Sequence, residues 1–101
     1  MPTRPSRHTF YSMLPRPTPE MIPDAYDIGL IFIDGEHRYP AVVNDIKAWE
    51  TKLKPGSWFL FHDYAQPCGV GQAVDEWEER NKHRIEKRVL NCSMVGFLIK
   101  E

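Results

Sequence analysis

The sequence predicts an α/β fold with the element order β-α-β-α-β-β, parallel strands first and an antiparallel hairpin at the C-terminus. Three observations carry that prediction. Two short, continuous apolar runs, Ile28–Ile33 and Trp58–Phe61, each break off into a polar cluster. Between them lies one helix length of amphipathic sequence. After the second cluster come another helical pattern and two final apolar runs separated by Asn91-Cys92-Ser93.

Residues 1–25 read as a Pro-rich N-terminal arm, and residues 26–101 as the α/β domain. Six of the nine prolines lie between Pro2 and Pro23, each fixing φ and removing a backbone donor. Leu14-Pro15-Arg16-Pro17-Thr18-Pro19 is expected to be extended, with Phe10 and Tyr11 available to pack on a neighbour. The run Asp27–Ile33 is continuous rather than alternating, which reads as a strand buried on both faces. Asp34-Gly35 then turns the chain out of the sheet.

Pro40 suits the first turn of a helix. Val42, Ile46, Trp49 and Leu53 follow at helical spacing and define one apolar face. Lys54-Pro55-Gly56 stops that helix, and Trp58–Phe61 gives a second buried strand. Strand, crossover helix and strand make a βαβ unit, whose strands are parallel. Val70, Ala73, Val74 and Trp77 mark a second helix that runs into the charged stretch Glu78–Lys82. The runs around Ile85–Val89 and Met94–Ile99 close the domain as two antiparallel strands.

Composition narrows the function. Thirteen basic and fourteen acidic residues leave a net charge of -1, without the basic excess of a nucleic-acid or membrane surface. Cys68 and Cys92 form neither a zinc cage nor a disulfide framework, and read as free thiols in a reducing cytoplasm. No apolar run approaches the ~18 residues of a membrane span.

In a βαβ unit both strands point the same way, so Asp34, Glu36 and His37 emerge at the same carboxyl edge as His62 and Asp63. Neighbouring strands lie about 4.8 Å apart, and this edge is where open α/β sheets bind ligands. Three carboxylates and two imidazoles in one small volume suit a divalent cation, Mg²⁺ for the oxygens and Mn²⁺, Fe²⁺ or Zn²⁺ for the imidazoles. His37 or His62 can instead accept a proton from a substrate hydroxyl. The same residues also suit a plain structural role, with Asp34-Gly35 as a turn and His62-Asp63 as a cap.

Ile31-Phe32-Ile33-Asp34-Gly35-Glu36-His37-Arg38-Tyr39, then Asp45, Leu53-Lys54-Pro55-Gly56 and Phe61-His62-Asp63-Tyr64, resemble the class I S-adenosylmethionine-dependent methyltransferases. The similar group carries an IDG-acid-H … LKPGG … HDY signature, continued here by Gly69-Val70 and Ala73–Trp77. The resemblance spans roughly Tyr26 to Glu79 and implies the C-terminal half of a Rossmann-like methyltransferase fold. It implies S-adenosylmethionine as cofactor, a small-molecule or sugar hydroxyl as methyl acceptor, and a divalent cation, Mg²⁺ first. By position it implies Asp34, His62 and Asp63 as metal ligands, His37 as general base, and Glu36, Tyr39 and Tyr64 as pocket residues. His62 stands where metal-dependent members have an acid, and Ser57 where the group has a second glycine.

The family's cofactor site, a glycine-rich turn and an acid after the first strands, has no counterpart before Tyr26; the first 25 residues contain no glycine. The expectation is therefore a half-fold that is inactive alone, and that associates with itself or with a complementing N-terminal half. Two other readings fit the same residues: a non-catalytic self-associating α/β module, and a metal-dependent hydrolase.

Overall fold

The computed structural model of the protein describes residues 8–12, 28–35 and 37–101. They form β1 (His8–Ser12), β2 (Ile28–Ile33), α1 (Tyr39–Glu50), β3 (Trp58–Phe61), α2 (Gly69–Asn81), a 3₁₀ turn (Lys82–Arg84), β4 (Ile85–Asn91) and β5 (Met94–Ile99). The strands make one sheet in the order β1-β2-β3-β5-β4. β1, β2 and β3 are parallel, and β5 is antiparallel to both β3 and β4. The expected β-α-β-α-β-β order is thus present, with one strand added ahead of it.

That strand, β1, lies within the segment read as an arm. It pairs with β2 from His8↔Ile28 to Ser12↔Ile33. Pro5 and Pro15 flank it without entering it, so the stretch between them keeps every backbone donor that a parallel ladder requires. The Leu14–Pro19 run lies outside the described residues.

α1 and α2 pack side by side over one face of the sheet. Ile31, Phe59, Phe61 and Phe97 from the strands, with Val42 and Val74 from the helices, are completely buried there. Trp77 fills the centre, edge-on to Phe59 and Phe97 with ring centroids 5.3 Å away in each case. Its indole nitrogen donates to Glu50 Oε2 at 2.7 Å, tying α2 to α1. α1 ends at Glu50, one turn before the apolar spacing does. Leu53 still reaches the core from the following turn, at 7% exposure.

Burial on both faces of β2 and β3 does not hold among the described residues. Leu30, Phe32, Trp58 and Leu60 alternate with the buried residues and are only half-buried, because no described helix lies on their side. Together with Val89, Met94 and Gly96, Leu30, Trp58 and Leu60 line a groove of about 290 Å³.

Ser57 shows why a glycine is dispensable there. It is fully buried, and its hydroxyl donates to the Lys54 carbonyl at 2.6 Å and accepts from the Lys54 N–H at 3.2 Å. The positive φ that this turn needs falls on Gly56, at 83°.

Candidate active site

The register Ile33↔Phe61 places the residues that follow β2 and β3 side by side. The His62 N–H donates to the Ile33 carbonyl at 3.1 Å, which carries the ladder one step past β3 and sets His62 against Asp34. His62 Nδ1 lies 3.6 Å from Asp34 Oδ1 and 3.1 Å from Asp63 Oδ1. Its ring stacks on Phe32, with 6.3 Å between centroids.

Asp63 departs from the strand with φ at 62°, in the left-handed region that Asp tolerates better than most residues. The departure turns its carboxylate toward the β2–α1 loop, where Oδ2 meets His37 Nε2 at 2.7 Å. Asp63 is thus bracketed by two imidazoles. Its side chain is 20% exposed, whereas those of His37 and His62 are 55% and 47% exposed.

Asp34, His37 and Asp63 each offer a ligand atom within 4.8 Å of the others. Four of the sequence-expected residues, Asp34, His37, His62 and Asp63, therefore converge. Glu36 lies outside the described residues. The compact triad includes His37 where the sequence reading put His62 among the ligands. His62 remains adjacent, between the two carboxylates.

Tyr39 and Tyr64 flank the cluster, but their hydroxyls are occupied. Tyr39 donates to Glu76, and Tyr64 donates to Asp75 Oδ1 at 2.5 Å, both on α2. Arg88 of β4 adds a bond to the Tyr64 hydroxyl at 3.1 Å and sets its guanidinium 5.5 Å from the ring centre. The hydrogen bond to Asp75, then burial, then the charge of Asp75 raise the Tyr64 phenol above its ordinary value, with Arg88 opposing. Tyr39 is raised in the same direction, first by its bond to Glu76.

Sequence reasoning missed the residues that hold the loop after Asp63. Ser93, in the β4–β5 turn, accepts the Tyr64 N–H at its carbonyl (2.8 Å) and the Ala65 N–H at its hydroxyl (3.3 Å). Gly69 donates its N–H to the His37 carbonyl at 2.8 Å. Gly69 stood out only as a motif glycine, and nothing local to Ser93 distinguishes it.

A family model described as "Methyltransferase domain" matches residues 3–64, more than half of the chain, and takes in β2, α1, β3 and the Asp34, His37, His62 and Asp63 cluster. The chain belongs to this family. The match begins at residue 3, so the family pattern extends through β1 and not only from Tyr26 onward.

The chain is also similar to the solved O-methyltransferase NovP, with a TM-score of 0.61 and 19% identity, over 73% of this chain and 30% of that one. That likeness establishes the partial Rossmann-like methyltransferase fold. An uncharacterized protein, R132 of Acanthamoeba polyphaga mimivirus, is 35% identical over 48 residues. Those residues are 48% of this chain and 21% of the viral protein. The chain thus spans less than a third of the length of either relative. No helix among the described residues is long and apolar enough to cross a membrane.

The donor set fits a hard divalent cation. Two carboxylates and an imidazole would leave half of an octahedron to water and substrate oxygens, as Mg²⁺ and Mn²⁺ sites allow. The methyl donor is another matter. The first glycine in the sequence is Gly29, so no glycine-rich turn follows β1 to admit a nucleoside closely.

Proposed function

We propose that this chain is the acceptor-side half of an S-adenosylmethionine-dependent O-methyltransferase, acting on a small-molecule or sugar hydroxyl, and that it does not transfer methyl unaided. One observation carries the reading: Asp34, His37 and Asp63 bring ligand atoms within 4.8 Å of one another at the carboxyl ends of two adjacent parallel strands. In this reading the carboxylates of Asp34 and Asp63 hold a divalent cation with His62 beside them, and the cation supplies positive charge that orients an acceptor hydroxyl. The His37 imidazole takes the hydroxyl proton. Asp63 Oδ2 receives the Nε2–H, which leaves Nδ1 as the accepting nitrogen of the neutral ring. The rings of Tyr39 and Tyr64 border the acceptor.

The face on which no described helix lies belongs to the same proposal. Sheets with parallel strands are normally covered on both faces. A second copy is expected to cover Leu30, Trp58 and Leu60 when the chain is alone, and a polypeptide carrying the cofactor-binding half is expected to displace it.

The test is isothermal titration with Mg²⁺ and Mn²⁺. The intact chain should bind, and Asp34→Asn and Asp63→Asn should each weaken binding about tenfold or more. Unchanged affinity in both variants removes the cation site. His37→Ala separates the roles: it spares cation affinity if His37 is the base, and lowers it if His37 is a ligand. S-adenosylmethionine should give no heat with the chain alone; saturable binding overturns the half-site reading.

A further inference from the structure

The loop from Asp63 to Gly69 grips His37 at both ends. At one end the Gly69 N–H donates to the His37 carbonyl at 2.8 Å. At the other, Asp63 Oδ2 meets His37 Nε2 at 2.7 Å. The loop itself is closed by local bonds. The Asp63 carbonyl accepts the Gln66 N–H at 3.2 Å and the Cys68 thiol at 3.6 Å, and the Gln66 carbonyl accepts the Cys68 N–H at 2.8 Å. Backbone and ring of one histidine are therefore fixed by a single short segment.

The backbone contact demands a residue without a side chain. A Cβ at position 69 would stand 2.2 Å from Tyr39 N, 2.6 Å from Tyr39 Cα and 2.9 Å from the Arg38 carbonyl carbon. All three are backbone atoms, so none can rotate away. Relieving the overlap to an ordinary contact requires the start of α2 to withdraw from the start of α1 by about 1.3 Å or more. A withdrawal of that size stretches the Gly69–His37 bond beyond use. It also draws Asp63 away from the ring through the closed loop.

We propose that Gly69 is the positioning residue of this site: by admitting α2 to the backbone of 38–39, it holds His37 Nε2 on Asp63 and leaves Nδ1 outward. The role assigned to that nitrogen rests on the base-and-cation reading above. The geometric claim, that position 69 sets the ring, is measurable separately from it. Positioning contacts of this kind typically change metal affinity by about 10- to 100-fold when broken, and a displacement near 1 Å is enough to disable an oriented base.

The experiment is nitrogen-15 NMR of the His37 ring at a pH where it is neutral, in the intact chain and in Gly69→Ala, with circular dichroism to confirm folding. The intact chain should show one tautomer, protonated at Nε2; Gly69→Ala should show a mixture and, because the loop draws the Asp63 carboxylate out of place, bind Mg²⁺ about tenfold more weakly. A folded Gly69→Ala with an unchanged single tautomer overturns the proposal. If that variant does not fold, the intact chain decides it on warming below its unfolding midpoint. Protection of the Gly69 amide and the single tautomer should then vanish together; a tautomer that survives free exchange at Gly69 overturns it. Failure of the intact chain to bind Mg²⁺ sinks the cation reading, and the tautomer still decides the role of Gly69.

Discussion

Replacing Trp77 by Phe tests the scaffold on which the site depends. Trp77 is completely buried, edge-on to Phe59 and Phe97, and its indole N–H reaches Glu50 Oε2 at 2.7 Å. Phe keeps an aromatic ring against those neighbours but leaves unfilled the space of the second indole ring. A partial truncation of that kind costs about 2 kcal/mol, below the 3–5 kcal/mol of a full Trp→Ala change. The lost bond to a carboxylate adds about 1 kcal/mol, at the low end because half-buried Glu50 can turn to water. The expected loss is about 3 kcal/mol, measured as the shift in urea midpoint at constant slope. In a domain this small it should lower Tm by more than about 10 °C. A loss below about 1 kcal/mol would mean that α2 is not docked through Trp77. The placement of Gly69 and of the Asp63 loop, both set by α2, would then fall with it.

Two further outcomes are expected. The Tyr64 phenol is raised above 10.0 in the folded chain, so its hydrogen bond contributes fully below that pH and is lost as pH rises through the folded value. Stability should therefore fall in alkaline solution beyond pH 10.0, and Tyr64→Phe should remove that part of the decline; an identical decline in the variant refutes the assignment. Leu60→Lys places a charge on the face where no described helix lies, without entering the core. Light scattering should show the intact chain as an oligomer and Leu60→Lys shifted toward monomer, with far-UV spectra unchanged; a monomeric intact chain removes the self-association proposal.

The βαβ unit and the closing hairpin were legible because each rests on local signals, namely apolar runs, helical spacing and the Lys54-Pro55-Gly56 stop. β1 was not, because proline density obscured the nine-residue gap between Pro5 and Pro15 in which none occurs and in which the five-residue strand lies. Apolar residues on both sides of β2 and β3 reveal two apolar faces, but nothing in their spacing says whether this chain covers the second. At the site, parallel strands were enough to bring Asp34 beside His62 and Asp63. The turn of Asp63 toward His37 was not readable, because it depends on a left-handed residue and on tethers from Ser93 and Gly69, which are distant in sequence. Tyr39 and Tyr64 likewise read as pocket residues, with nothing to show that α2 takes up their hydroxyls. A helix face can be read from spacing, whereas the acid that meets a given phenol depends on how that helix lies.

The division of labour in the fold bears on what this chain can do apart from its longer relatives. Sheet and helices on one side already form a two-layer unit with its own core, the minimum a stable domain needs. Every residue of the Asp34, His37, His62 and Asp63 cluster follows β2 or β3, and the elements that restrain them, α2 and the β4–β5 turn, belong to the same layer pair. Among the described residues, no contact in the cluster comes from a strand on the β1 side of β2. In the proposed reading, cation binding and histidine orientation are therefore local to these elements. In the same reading, methyl-donor binding falls to a glycine-bearing turn carried by a complementing polypeptide. The two halves of the chemistry are separable in principle. A complementing polypeptide should then restore methyl transfer without strengthening the cation site, since the residues that shape that site are already in place.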